Sequence, residues 1–231
     1  VSSLEALLQR QDLWRGAASG TRTPRAVASG FAALDREFPG GGWPQGALTE
    51  ILVPCEGIGE LQLVLPALAG LSRAGGYIGW IAPPHLPYAP ALAAAGIALE
   101  HLTVVRTSGP EEALWAAEQA LRARAFAALL AWPRRAGYPE LRRLAVAAEG
   151  GSALALLFRA PQAASAPSPA VLRLALEPAA GRRLAVRILK RRGVPAPAPV
   201  ELSLGRPVHV MGRAPSAAAR IAGARARACT A

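Results

Sequence analysis

Lysine is nearly missing from this chain of 231 residues: of its 26 Lys and Arg, one is a lysine, Lys190. Cysteine is nearly missing too, with Cys55 and Cys229 alone. Two cysteines exclude a disulfide framework and a zinc cluster. The three histidines, His85, His101 and His209, lack metal-ligand spacing. Acidic residues number 15, so the formal net charge is +11. GC-rich coding bias accounts for arginine over lysine and for the abundant Ala, Gly and Pro; phosphate binding favours the same guanidinium forks. Bias does not by itself account for the positive excess, so a basic surface facing nucleic acid or an acidic protein stays open. A clean membrane span is also lacking. Residues 74–99 contain no Asp, Glu, Lys or Arg, but Pro83, Pro84, Pro87 and Pro90 interrupt them, and a strand–loop–helix reading fits better. The first residues, VSSLEALLQRQDLWRG, carry Glu5 and Asp12 and no signal-peptide core. The expectation is a soluble, cytoplasmic protein with no membrane contact.

What is present is a hydrophobic content of 52%, enough for one domain with a sizeable core plus tails. Residues 3–15 read as a short amphipathic helix and residues 16–29 as a small, polar, basic linker. The core domain is expected over 30–205. It opens with GFAALDREF, a Pro/Gly loop, and a buried strand at 47–53. Helices at 59–73, 88–95, 111–124 and 140–149 then alternate with strands at 77–82, 102–106, 126–132 and 153–158, with Trp115 assigned to the apolar side of its helix. This alternation predicts an α/β fold: a mostly parallel twisted sheet with helices on both faces. Three late strands, AVLRLALE, RRLAVRILKR and PVELSLG, read as antiparallel additions at one sheet edge. Residues 206–231 are Arg/Ala-rich with little to pack, and read as a basic tail or a helix that orders on a partner.

The stretch EILVPCEGIGELQL has the layout of a phosphate-binding loop, an apolar strand, a Gly-bearing turn and a helix. A P-loop reads G-x-x-x-x-G-K-[ST], its lysine reaching the terminal phosphates and its hydroxyl the Mg²⁺. Here Gly59 is followed by Glu60 and Leu61. A carboxylate about 4 Å from a phosphate oxygen is repelled by ~4 kcal/mol per unit charge at an effective dielectric of ~20. Glu60 also falls at a helix start, where an anion is favoured. It reads as a built-in anion filling a vacated site, or as a plain solvated glutamate. Pro54, Cys55, Glu56, Gly57, Gly59, Glu60 and Leu61 form this loop, with Cys55 taken as a small buried thiol. Ser108 in TSGPEE reads as a helix N-cap, and His85 as a structural loop histidine. There is no catalytic constellation, and no cofactor is expected.

The segments SGFAALDREFPGGGWPQGALTEILV, GGYIGWIAPPHLPYAPALAAAGIALEHLTVVRTSGP and AVLRLALE with RLAVRILKRRGVPAP resemble the RecA family over most of the chain. Within that superfamily, PGGGWPQGALTEIL, GIGELQLVLPALA, IAPPHLPYAPALAAAGI and ALWAAEQALR resemble the ImuA family of translesion-synthesis accessory proteins. The resemblance implies a RecA-like fold and lets the ATP site be checked part by part. The P-loop lysine position is Glu60, the hydroxyl position Leu61 and the catalytic carboxylate position Pro84. The metal-associated Asp falls at or beside Trp132. With these parts missing, ATP hydrolysis is not expected.

The resemblance further implies a non-catalytic role in SOS-induced, error-prone DNA synthesis. Its partners would be ImuB, RecA and, indirectly, an error-prone replicative-type polymerase, with weak non-specific DNA binding open and limitation of RecA filaments a further consequence. Leu4, Leu7, Leu8 and Trp14 on the first helix become partner contacts, since in RecA this helix packs on the adjacent protomer. The patch Lys190, Arg191 and Arg192 is similar to positions that reach across the RecA filament interface. Arg134, Arg135, Arg142 and Arg143 lie where RecA-like proteins carry a DNA-binding loop, here short. Arg213, Arg220, Arg225 and Arg227 in the tail face either phosphate backbone or a protein. The alternative is a cell-division inhibitor of the SulA type, also RecA-like and ATP-less, which acts on the tubulin-like division protein.

Overall fold

The computed structural model describes residues 25–191 and 198–205. Its elements in chain order are β1 (Ala26–Val27), α1 (Ala32–Asp35), β2 (Trp43–Pro44), β3 (Ala47–Leu52), α2 (Glu60–Arg73), β4 (Tyr77–Ile81), α3 (Ala89–Ala94), β5 (Leu102–Val105), α4 (Pro110–Ala123), β6 (Phe126–Ala131), α5 (Tyr138–Ala148), β7 (Leu154–Arg159), β8 (Leu172–Ala179), β9 (Arg183–Lys190) and β10 (Val200–Ser203). Short 3₁₀ turns lie at Leu99–His101 and Pro161–Ser165.

The alternation expected from hydrophobic runs and turn residues is realised as an eight-stranded sheet in the order β10-β9-β8-β3-β7-β6-β4-β5. The strands from β8 to β5 in that order are parallel to their neighbours. The late strands do extend one edge, with a refinement: β8 joins β3 in parallel, and the antiparallel character begins at β9 and continues to β10. The reason lies in the connections. A long excursion through the 3₁₀ turn at 161–165 brings the chain back to the start of the sheet, whereas β8 to β9 is a tight reversal through Gly181.

Two cores flank the sheet. On one face Leu34, Leu63, Val64, Leu68 and Leu92 from α1, α2 and α3 pack on Ile51, Ile78, Leu130 and Leu156. On the other, Leu114, Leu121, Leu141 and Leu144 from α4 and α5 pack on Leu129, Ala155 and Leu157. Strands buried on both faces read as continuous apolar runs rather than alternating ones, as in FAALLA and LALLFR. Trp115 departs from its expected place: it is 62% exposed. The buried stripe of α4 is Ala113, Leu114, Ala117 and Leu121, and Trp115 stands one residue, about 100°, beyond Leu114. The Pro/Gly loop is more than a turn. It delivers Trp43 to full burial against Phe38, ring centroids 4.8 Å apart, and β2 pairs with β1, which falls within the segment expected as linker. Gly30 marks a close approach: its φ is +86°, and a Cβ there would lie 2.5 Å from Cβ of Pro66 on α2.

Among the described residues, no helix is long and apolar enough to cross a membrane.

Candidate functional site

Parallel strands place their following loops at one end of the sheet, where ligands of open α/β folds bind. The loop after β3 turns sharply into α2. Gly57 and Gly59 have φ of +81° and +109°, and Gly59 is the N-cap of α2. The backbone N–H groups of Gly57 and Gly59 donate to the two carboxylate oxygens of Glu60 at 3.0 and 3.1 Å. These are the kind of loop amides that hold an anion at a helix start, and here the anion is a side chain of the same loop. Leu61 turns to the apolar core instead of the loop. Leu204, just past β10, closes over this turn: a Cβ at Gly59 would meet its Cδ1 at 2.1 Å.

Beside the turn, His85 pairs with Glu56 at 2.5 Å, linking the β4–α3 loop to the β3–α2 loop. Sequence placed no acid near His85 because Glu56 is 29 residues away in the chain. Cys55 is half-buried, not the fully buried thiol expected of it. Ser108 is not the N-cap of α4 either. Gly109 takes that position, and Glu112 reaches back to accept the Ser108 N–H at 2.6 Å.

A cleft of about 680 Å³ opens at the ends of β3, β4, β5, β6 and β7. Its walls include Val53, Pro84, Ala113, Trp132 and Phe158, and its rim carries Arg106, Arg134 and Arg159. Trp132 lies flat on Phe158, with centroids 4.7 Å apart and planes 9° apart, and tilts against Trp80 at 5.5 Å. Beneath the cleft is an ion cluster that sequence reasoning missed. Glu50, fully buried in β3, accepts Arg159 Nη1 at 2.5 Å and Arg173 Nε at 2.6 Å. Further N–H groups of these arginines go to main-chain carbonyls. Arg159 donates to Ala136 O, and Arg173 donates to the oxygens of Ala163 and Ala166. One carboxylate thereby pins the β6–α5 loop and the 161–165 turn to the central strands. The signal was present as a lone Glu in ALTEIL and a lone Arg in VLRLAL; the register that sets Glu50 opposite Arg173 was not.

Comparison with known proteins follows the same lines. The family model described as cell division inhibitor SulA matches residues 46–155. Protein ImuA of Caulobacter vibrioides (strain NA1000 / CB15N) is 34% identical over 137 residues, 57% of this chain and 56% of that protein. Protein RecA of Picosynechococcus sp. is 35% identical over 99 residues, covering 43% of this chain and 28% of that protein. Protein RecA of Rubrobacter xylanophilus is 29% identical over 130 residues, covering 56% and 38%. The chain is thus similar to both ImuA and RecA proteins. It spans about half the length of the ImuA relative and less than two fifths of the RecA relatives.

On this RecA-like frame the expected contact residues fall in different places. Pro54, Glu56 and Pro84 are exposed around the turn. Lys190 donates to Ser168 O at 2.8 Å, and Arg191 to the backbone and carboxylate oxygens of Glu37. Arg191 thus ties the end of β9 to the segment after α1. Arg134, Arg135 and Arg142 are exposed, while Arg143 reaches Glu118 on α4 at 3.5 Å. Arg192, the helix residues Leu4, Leu7, Leu8 and Trp14, and the tail residues Arg213, Arg220, Arg225 and Arg227 lie outside the described residues.

Proposed function

We propose that this chain is a non-catalytic RecA-like accessory module of SOS-induced, error-prone DNA synthesis. It binds ImuB, RecA or both, and through them serves an error-prone replicative-type polymerase. The observation that carries the non-catalytic part is the Glu60 carboxylate on the Gly57 and Gly59 amides, where a phosphate would meet a fixed negative charge. Pro84 and Trp132 stand where the resemblance would put catalytic and metal-associated carboxylates. The ImuA relatives support the pathway. Limitation of RecA filaments follows as part of the same reading, since a protomer-shaped module without turnover occupies a filament end without advancing it.

A second reading, inhibition of the tubulin-like division protein, is favoured by the SulA family match over residues 46–155. Two assays test these readings, the first the absence of turnover that both share and the second the partner that separates them. ATP hydrolysis with and without single-stranded DNA is expected at background in both conditions; DNA-stimulated turnover would sink the non-catalytic reading. Side-by-side capture of ImuB, RecA and the division protein at two salt concentrations is expected to retain ImuB or RecA. Retention of the division protein alone moves the chain to the second reading.

A further inference from the structure

We propose that the cleft at the ends of β3–β7 seats an acidic segment of a partner protein with an apolar tip, held by Arg106 and Arg134. The proposal rests on the accessory reading above and names the chemistry of its contact. The volume, about 680 Å³, is that of a site for a small ligand or a short cluster of side chains rather than an extended track. Its walls combine apolar residues, Val53, Ala82, Pro110, Ala113, Pro133 and Phe158 among them, with a comparable polar surface.

The charges around it are unequally satisfied. Arg159 is committed to Glu50 and Ala136 O. Glu56 faces His85, and Glu112 caps the Ser108 N–H. Arg106 and Arg134, both exposed on the rim, have no hydrogen bond or ion pair among the described residues. Two unmatched guanidinium forks over an apolar pit call for carboxylates beside a hydrocarbon side chain. The loop that borders the cleft through Pro83 and Pro84 continues into Leu86 and Tyr88, 81% and 68% exposed, which extends apolar surface beyond the pit.

A single-stranded nucleic acid is the less suited occupant. Such sites offer free aromatic platforms along a basic groove. Here Trp132 is spent as a wall, flat on Phe158 and tilted on Trp80, and the neighbouring loop amides hold Glu60.

The test uses fluorescence polarisation with fluorescein-labelled 15-residue peptides tiling ImuB and RecA, alongside labelled oligo-dT and the two full-length proteins. Wild type is compared with Arg106→Glu/Arg134→Glu and with Arg25→Glu, an exposed arginine near the other end of β3. Circular dichroism melts check that the variants fold. The expected result is binding by peptides that pair Asp or Glu with an apolar residue, weakened at least tenfold by the double reversal and unchanged by Arg25→Glu. Capture of the full-length partner should weaken in parallel. If a full-length partner binds and the double reversal leaves it unchanged, the cleft is not the contact and the accessory reading survives. If the reversal abolishes oligo-dT binding while no peptide binds, the cleft serves nucleic acid and the proposal is overturned. If neither full-length protein binds wild type, the accessory reading falls and the proposal with it.

Discussion

Glu50 and Glu60 lie ten residues apart on either side of one turn, and each holds two donors, yet their surroundings differ. Glu50 is fully buried between two arginines. Glu60 is half-exposed and takes two backbone amides of its own loop. The first carboxylate is the buried counter-charge of two guanidinium groups, so removing it leaves cations stranded. The second satisfies amide dipoles that water can also reach. The same functional group is therefore held by buried guanidinium groups in one place and by loop amides in the other.

The comparison breaks most sharply at Glu50. Glu50→Gln should cost about 3–5 kcal/mol in urea unfolding, because Arg159 and Arg173 lose their buried counter-charge. Replacing all three with apolar residues should recover much of that loss; a triple variant as unstable as the single one would argue against stranded charge as the cause. Next comes Gly59→Ala, where positive φ and the contact with Leu204 combine. The backbone conformation alone should cost about 1–3 kcal/mol, and adding Leu204→Ala should return only the steric share. Glu60→Gln should be milder, about 1 kcal/mol, since hydrogen bonding continues with a neutral acceptor. Combining Glu60→Lys with Leu61→Thr should raise ATP affinity in calorimetry without giving phosphate release, because Pro84 and Trp132 supply no carboxylate. Smallest is Arg187→Ala. Its ion pair with Glu177 is about half-exposed at both ends, and its loss should shift stability by under about 1 kcal/mol.

The fold was legible because the central strands carry continuous apolar runs, as in FAALLA and LALLFR, and most turns between elements hold Gly or Pro. Boundaries of α2, β4 and β6 fall within a residue or two of the expectation. Trp115 was misplaced because half of the buried stripe of its helix is alanine, Ala113 and Ala117, so the bulky ring beside Leu114 was assigned to the stripe in their place. The site was legible where it is local in sequence, as at Gly59, Glu60 and Leu61. It was not legible where it is assembled across the sheet. Glu50 meets Arg159 and Arg173 only once β3 lies between β7 and β8, and no periodicity encodes which strands become neighbours. Lys190 and Arg191 look like a free basic patch in sequence; in space they are bonded to Ser168 and Glu37.

The position of β3 also has a consequence for how the chain is made. Its hydrogen-bonded neighbours are β7 and β8, so β3 is synthesised roughly 100 residues before either, a wait of about 5–20 s at ~5–20 residues per second. During that interval ALTEILV would be a bare apolar strand but for one ionised carboxylate. An ionised Glu50 is therefore expected to act as a gatekeeper against self-association in the nascent chain before it pairs with Arg159 and Arg173. The aggregated fraction of a Glu50→Leu chain during cell-free translation is where that earlier role would be seen.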